Sequence, residues 1–175
     1  MPTKIKYGQA VACRGIFQEK NMIITDHALF GAVLATKTES LPLAFLLGFI
    51  SHFILDAIPH LDPGTITNPY GDKKIKWPKW VYLFVLADFA VTIMIFYFFQ
   101  NRPNFNLMIL GGLGGISVDV IENFPSEFIK NLPILKQIQW LHTKTHYWLP
   151  TEKWYWGLFT SIIVAGGSVW LLLKF

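Results

Sequence analysis

Long apolar runs alternate with short polar segments along this chain, and the runs are long enough to be helices rather than strands. A first helix is predicted from Thr25 or Asp26, either of which reads as its N-cap, to about Lys37. It is short for a bilayer span, which needs about 20 residues. A second helix is predicted from Leu41 to Ile58, stopped by Pro59. The polar stretch DPGTITNPYGDKKIKWPK follows and is rich in turn formers. A third helix runs from Trp80 to Gln100, a tight turn covers Asn101 to Pro103, and a fourth helix runs from Phe105 to Asn123. Pro133 to Trp148 reads as an amphipathic helix lying at an interface. The last helix runs from Trp154 to Leu173. The pattern predicts an all-α fold: a polytopic membrane helical bundle of four to five transmembrane helices plus the interfacial helix. Residues 1–24 read as a polar, basic N-terminal extension and 25–175 as the membrane-embedded domain. Met22, directly before Ile-Ile-Thr-Asp-His, offers an alternative start.

Composition strengthens the membrane reading. The chain is 53% hydrophobic and only 15% charged, with seven Trp and fifteen Phe. Its net charge of +4 is spread over loops rather than gathered in one patch, which argues against a nucleic-acid partner. The lone Cys13 excludes an internal disulfide.

Lysine and arginine set an orientation. If the first helix crosses, one side holds Lys4, Lys6, Arg14, Lys20, Lys73, Lys74, Lys76, Lys79, Lys130, Lys136, Lys144 and Lys153. The other holds Lys37, Arg102 and Lys174. The richer side is predicted to be cytoplasmic. Trp77, Trp80, Trp140, Trp148, Trp154 and Trp156 fall at that same interface, and Trp170 near the other. Gly111, Gly112, Gly114 and Gly115, with a G-x-x-x-G pair at Gly111 and Gly115, predict close helix packing without chemistry of their own.

Chemistry gathers on the cytoplasmic side of this layout. The segment SHFILDAIPHLD, residues 51–62, carries His52, Asp56, His60 and Asp62. His52 and Asp56 are four apart and share a helix face, a usual half-site for a divalent metal. LHTKTH repeats the spacing with His142 and His146. His27 lies in the first turn of helix one, and Asp119 one turn from the end of helix four, with Glu122 a turn later. Asp88 lies roughly 12 Å into helix three, flanked by apolar residues, where a carboxylate must pair, protonate or bind a cation. Asp26 reads as a cap, and Asp62 also fits a turn before Pro63-Gly64. His and Asp without Cys suit zinc, with manganese or iron as alternatives. The expected core ligands are His52, Asp56, Asp88, Asp119, His142 and His146, with His27, His60 and Asp62 next. Such a metal would activate water and polarise an ester or phosphoryl oxygen, with Asp88 and Asp119 also as candidate catalytic carboxylates and Lys144 as a candidate phosphate-binding group.

At these residues the chain resembles the prokaryotic family of membrane-bound metal-dependent hydrolases. The likeness lies in DHALFGAVLA at 26–35, in the His52 to Asp62 element, in Asp88 and Asp119 on later helices, and in HTKTH at 142–146. It covers roughly residues 25–150. The common family element reads H-R-G-x-T-H, whereas here the histidine step is four and the arginine is absent, with Lys144 nearby. A looser similarity is to the zinc-dependent phospholipase C group. The resemblance implies a prokaryotic membrane protein with a metal-dependent hydrolase site. The lysine bias places that site at the cytoplasmic face of the inner membrane, where it would meet lipid head groups, so the expected substrate is a lipid-like ester or phosphoester. The rival readings are a metal or proton transporter, which needs polar groups continuing toward the far side, and a structural membrane protein whose metal staples helices.

Overall fold

The computed structural model describes residues 23–61, 78–122, 131–147, 149 and 153–175. Among them the chain forms α1 (Ile24–Ala35), α2 (Leu41–Asp56), α3 (Lys79–Phe99), α4 (Phe105–Glu122), α5 (Pro133–Thr145) and α6 (Trp154–Lys174). Each predicted helix is present, with ends shifted by up to a few residues. Residues 1–22 of the extension, the loop carrying Asp62, and Trp77 and Trp148 lie outside the described residues, while Ile24, placed in the extension, opens α1.

Among the described residues three helices, α3, α4 and α6, are long and apolar enough to cross a membrane, with 21, 18 and 21 residues. At 1.5 Å per residue they span about 27–32 Å, the thickness of a hydrocarbon core. The four or five spans expected from sequence are therefore met by length in three. The other two apolar helices, α1 and α2, have 12 and 16 residues. The outward faces of the long helices are oily: Leu83, Met94, Tyr97 and Phe98 of α3 and Ile162 and Trp170 of α6 are exposed. In water such a surface would be an aggregation liability; against lipid it is the expected solvent face.

α1 is the central element. Nine of its twelve residues are buried, so it carries no single apolar stripe and packs on all sides. Leu29, Ala32 and Val33 form a dry cluster with Phe99, Met108 and Leu172 in one half of the bundle. Toward that end Arg102 donates to the Leu173 carbonyl and Lys37 lies over the Phe175 ring. The other half, around the start of α1 and the ends of α2 and α4, is polar.

Glycines bring α1, α2 and α4 together. A Cβ on Gly31 or Gly48 would strike the Gly111 backbone, one on Gly115 the His27 carbonyl, and one on Gly114 the Phe45 carbonyl. Main chains touch where side chains are absent, as small-residue packing in membranes allows. The close packing read from the glycine run is present, and it also places His27 of α1 directly against α4.

The start of α1 corrects one expectation. Thr25 and Asp26 do not cap it; both lie inside the first turn, and the N-cap residue Ile23 offers no side-chain bond. The cap comes from another helix. Asp88 of α3 accepts the Ile24 N–H at 2.6 Å and the Thr25 N–H at 3.3 Å, and the Thr25 hydroxyl donates to it at 2.5 Å. The Thr92 hydroxyl donates to the Asp88 carbonyl at 2.9 Å and sits 2.7 Å from that of Thr25. A helix N-terminus presents unpaired N–H groups and partial positive charge. That satisfies a carboxylate on an apolar helix without any cation. Replacing Asp88 by Ala is expected to cost about 1–3 kcal/mol, the penalty for orphaned buried donors. Its metal content should stay at the wild-type level. Thermal unfolding in detergent and metal analysis check the two halves of this expectation.

Candidate metal centre

The polar end of the bundle is built from four helices and one loop. α1 contributes His27, α2 contributes His52 and Asp56 one turn apart, α4 contributes Asp119 and Glu122, and α5 contributes His142, with His146 just past its end. His60 follows α2. Pro59 stops that helix, and α6 then grips the chain: Thr160 donates to the Pro59 carbonyl, and Ser161 accepts the Leu61 N–H at 3.3 Å. Gly157 of α6 leaves room for the His60 backbone, which a Cβ would approach to 2.7 Å. The end of α5 is tied to the end of α2 by the Tyr147 N–H, which donates to the Asp56 carbonyl at 2.6 Å.

All five histidines of the chain close into a ring. Going round, the centroid distances are 4.6 Å from His27 to His52, 5.1 Å to His142, 5.5 Å to His146, 4.9 Å to His60 and 5.6 Å back to His27. Asp56 is the hub of this ring. Its carboxylate lies 2.6 Å from His142 Nε2, 3.3 Å from His52 Nε2 and 3.8 Å from His27 Nε2. Asp119 Oδ2 is 3.7 Å from His52 Nδ1. Three sets of ligand atoms each lie within 4.8 Å of one another: His27, His52 and Asp56; His52, Asp119 and His142; Asp56, His60 and His146. All seven residues are buried, and Asp119, at 8% exposed, is the most accessible.

Several outer groups orient these rings. His52 Nδ1 lies 2.8 Å from the Gly115 carbonyl, His60 Nδ1 lies 2.9 Å from the Ile58 carbonyl, and His142 Nδ1 lies 2.5 Å from Glu122. An oxygen acceptor at Nδ1 makes that nitrogen the donor, which leaves the Nε2 lone pair for a cation. This is how metal-ligating histidines are held in known metal sites. Among the described residues neither ring nitrogen of His27 has a hydrogen-bond partner, nor does His60 Nε2. Each such buried group costs about 1–3 kcal/mol unless something occupies it. The donor set therefore fits a divalent cation of the nitrogen- and oxygen-liking kind. Glu122→Gln, which keeps the shape but weakens the hold on His142, is expected to lower metal affinity about 10- to 100-fold, the usual effect of losing such an outer partner. Isothermal titration of metal-depleted protein would measure it.

The residues expected from sequence divide as follows. His27, His52, Asp56, His60, Asp119, His142 and His146 come together. Asp88 stands apart, occupied by the start of α1. Lys144 is exposed on α5, between the two histidines in sequence. Asp62 lies outside the described residues.

Two acidic residues gain roles the sequence did not give them. Glu122 holds His142 across a separation of twenty residues, which no local spacing reveals. Asp26, read as a cap, is buried; it accepts the His27 N–H at 2.9 Å and the Ser161 hydroxyl at 3.0 Å, joining α1 to α6. Its only sequence sign was its place beside His27.

The findings support a buried His/Asp cluster suited to a metal ion inside an all-α bundle with membrane-length helices. The chain matches no family model, no curated protein and no solved structure at a significant level, so the likeness to membrane-bound metal-dependent hydrolases rests on the quoted motifs.

Proposed function

We propose that this protein is a membrane-embedded, metal-dependent hydrolase acting on a lipid-like ester or phosphoester at the cytoplasmic face of a prokaryotic inner membrane. The observation that carries the reading is the set of overlapping, buried His/Asp ligand groups at one end of the bundle. A divalent ion held there, most simply zinc, with manganese or iron as alternatives, supplies a Lewis acid that polarises the scissile group and acidifies water.

The chain's own residues supply the rest. His52, Asp56, His142 and their neighbours hold the cation, and Glu122 and the Gly115 carbonyl fix the imidazoles. Asp119 offers one carboxylate oxygen to the cation, and its other oxygen is the candidate acceptor of the proton from the attacking water. The water oxygen bonds to the acyl carbon or to phosphorus, the ester C–O or P–O bond breaks, and Asp119 returns the proton it took from water to the departing alcohol oxygen. Exposed Trp140, Trp154, Tyr155 and Trp156 belong to the same end as the histidines, where aromatic side chains suit the headgroup layer. The exposed Lys144, next to them in sequence, is the candidate group for a phosphate.

A transporter is less well supported. Thr92, Thr160 and Ser161 are engaged at the site's own end, by Thr25 and by the His60 loop, and Ser168 is the buried hydroxyl farther along α6 among the described residues.

The test is metal removal. Detergent-purified protein is assayed on mixed micelles of glycerolipid esters and phosphoesters, before and after chelation. Activity is expected to fall by at least about a hundredfold, as loss of a Lewis acid worth several kcal/mol requires. Zinc or manganese should restore it. Hydrolysis that ignores chelation, or a protein that neither contains nor takes up metal, would sink the proposal.

A further inference from the structure

The ligand groups hold more donors than one ion needs. Two of them share no residue: His52, Asp119 and His142 form one, and Asp56, His60 and His146 the other. Each is two imidazoles and one carboxylate, and a catalytic zinc keeps three protein ligands. The third group, His27, His52 and Asp56, takes one member from each and so sits between them. The carboxylate of one triplet also reaches into the other. Asp56 Oδ2 lies 2.6 Å from His142 Nε2 and 3.3 Å from His52 Nε2. Both faces of the cluster are independently supported: Glu122 and the Gly115 carbonyl hold the histidines of one triplet, and the Ile58 carbonyl and α6 hold His60 in the other.

From this arrangement we infer that the centre binds two divalent ions, one per triplet, with the Asp56 carboxylate shared between them and His27 completing the join. The inference rests on the metal-site reading above and adds the number of ions and the role of Asp56. A paired site clamps both the attacking and the leaving oxygen of a displacement, which a single ion does not.

Metal-depleted protein is loaded with zinc in detergent, freed of excess metal and analysed for zinc per chain. Wild type is expected to hold two. His60→Ala/His146→Ala and Asp119→Asn/His142→Ala should each hold one, with helicity and monodispersity unchanged. Loading with manganese gives a readout that needs no variant: two ions sharing a carboxylate show an exchange-coupled paramagnetic resonance spectrum, and isolated ions a six-line one. Saturation at one zinc with an uncoupled manganese spectrum would overturn the pair while leaving a one-metal hydrolase standing. No specific uptake at all would overturn both. Two zincs in wild type that persist in both double variants would mark adventitious binding and would also overturn the inference.

Discussion

Asp56→Asn should empty the metal centre while leaving the helices in place. The carboxylate meets His142, His52 and His27 and belongs with His60 and His146, so it is common to most of the cluster. A structural zinc site contributes about 10–16 kcal/mol over four ligands, so losing one costs roughly 3 kcal/mol, a hundredfold or more in affinity. A shared ligand should cost more than that. The amide keeps the volume and removes a buried charge, so helicity in detergent should not fall. Metal analysis and circular dichroism on the same preparation decide the matter. An Asp56→Asn protein that keeps its full metal content would show that the ion lies elsewhere.

Gly111→Leu is expected to prevent the bundle from closing. The position faces Gly31 and Ala35 of α1, and the Gly48 Cβ direction points at its backbone. The obstacles include main-chain atoms of helices held at both ends, so neither partner can step aside as a flexible side chain would. Overpacking a well-filled core costs about 1–3 kcal/mol, and a backbone clash belongs at or beyond the top of that range. Because the same contact seats His27 against Gly115, metal binding should be lost together with the fold. Gly166→Ala, where no described residue lies within 4 Å of the added methyl, is the control and should behave as wild type. Size-exclusion profiles and thermal unfolding in detergent compare the two. Normal behaviour of Gly111→Leu would refute the close crossing.

How much of this was readable in the chain can be judged residue by residue. Apolar runs marked five of the six described helices, and the amphipathic pattern of Pro133 to Trp148 marked α5, because both patterns are local properties of the sequence. His52 with Asp56, and His142 with His146, were legible because a four-residue step places two side chains on one helix face. Placing the histidines at a single end followed from counting helices and loops. For Asp88 the sequence and the structure point to different partners. A carboxylate in an apolar run must be satisfied, and sequence alone suggested a cation, whereas the partner is the N-terminus of α1 sixty-four residues away in the chain. Asp26 and Glu122 were undervalued because their partners, Ser161 and His142, lie on other helices.

By itself, then, the sequence determined that this is a helical, membrane-type protein whose histidines and most of whose acidic candidates sit at one end of the helices, since helix periodicity and hydropathy are local properties. Only the tertiary structure decided which carboxylates face the histidines. That choice depends on how α1, α2 and α4 cross at their glycines and on where α5 and α6 close the end. Those contacts join residues far apart in the chain, and no local pattern encodes them.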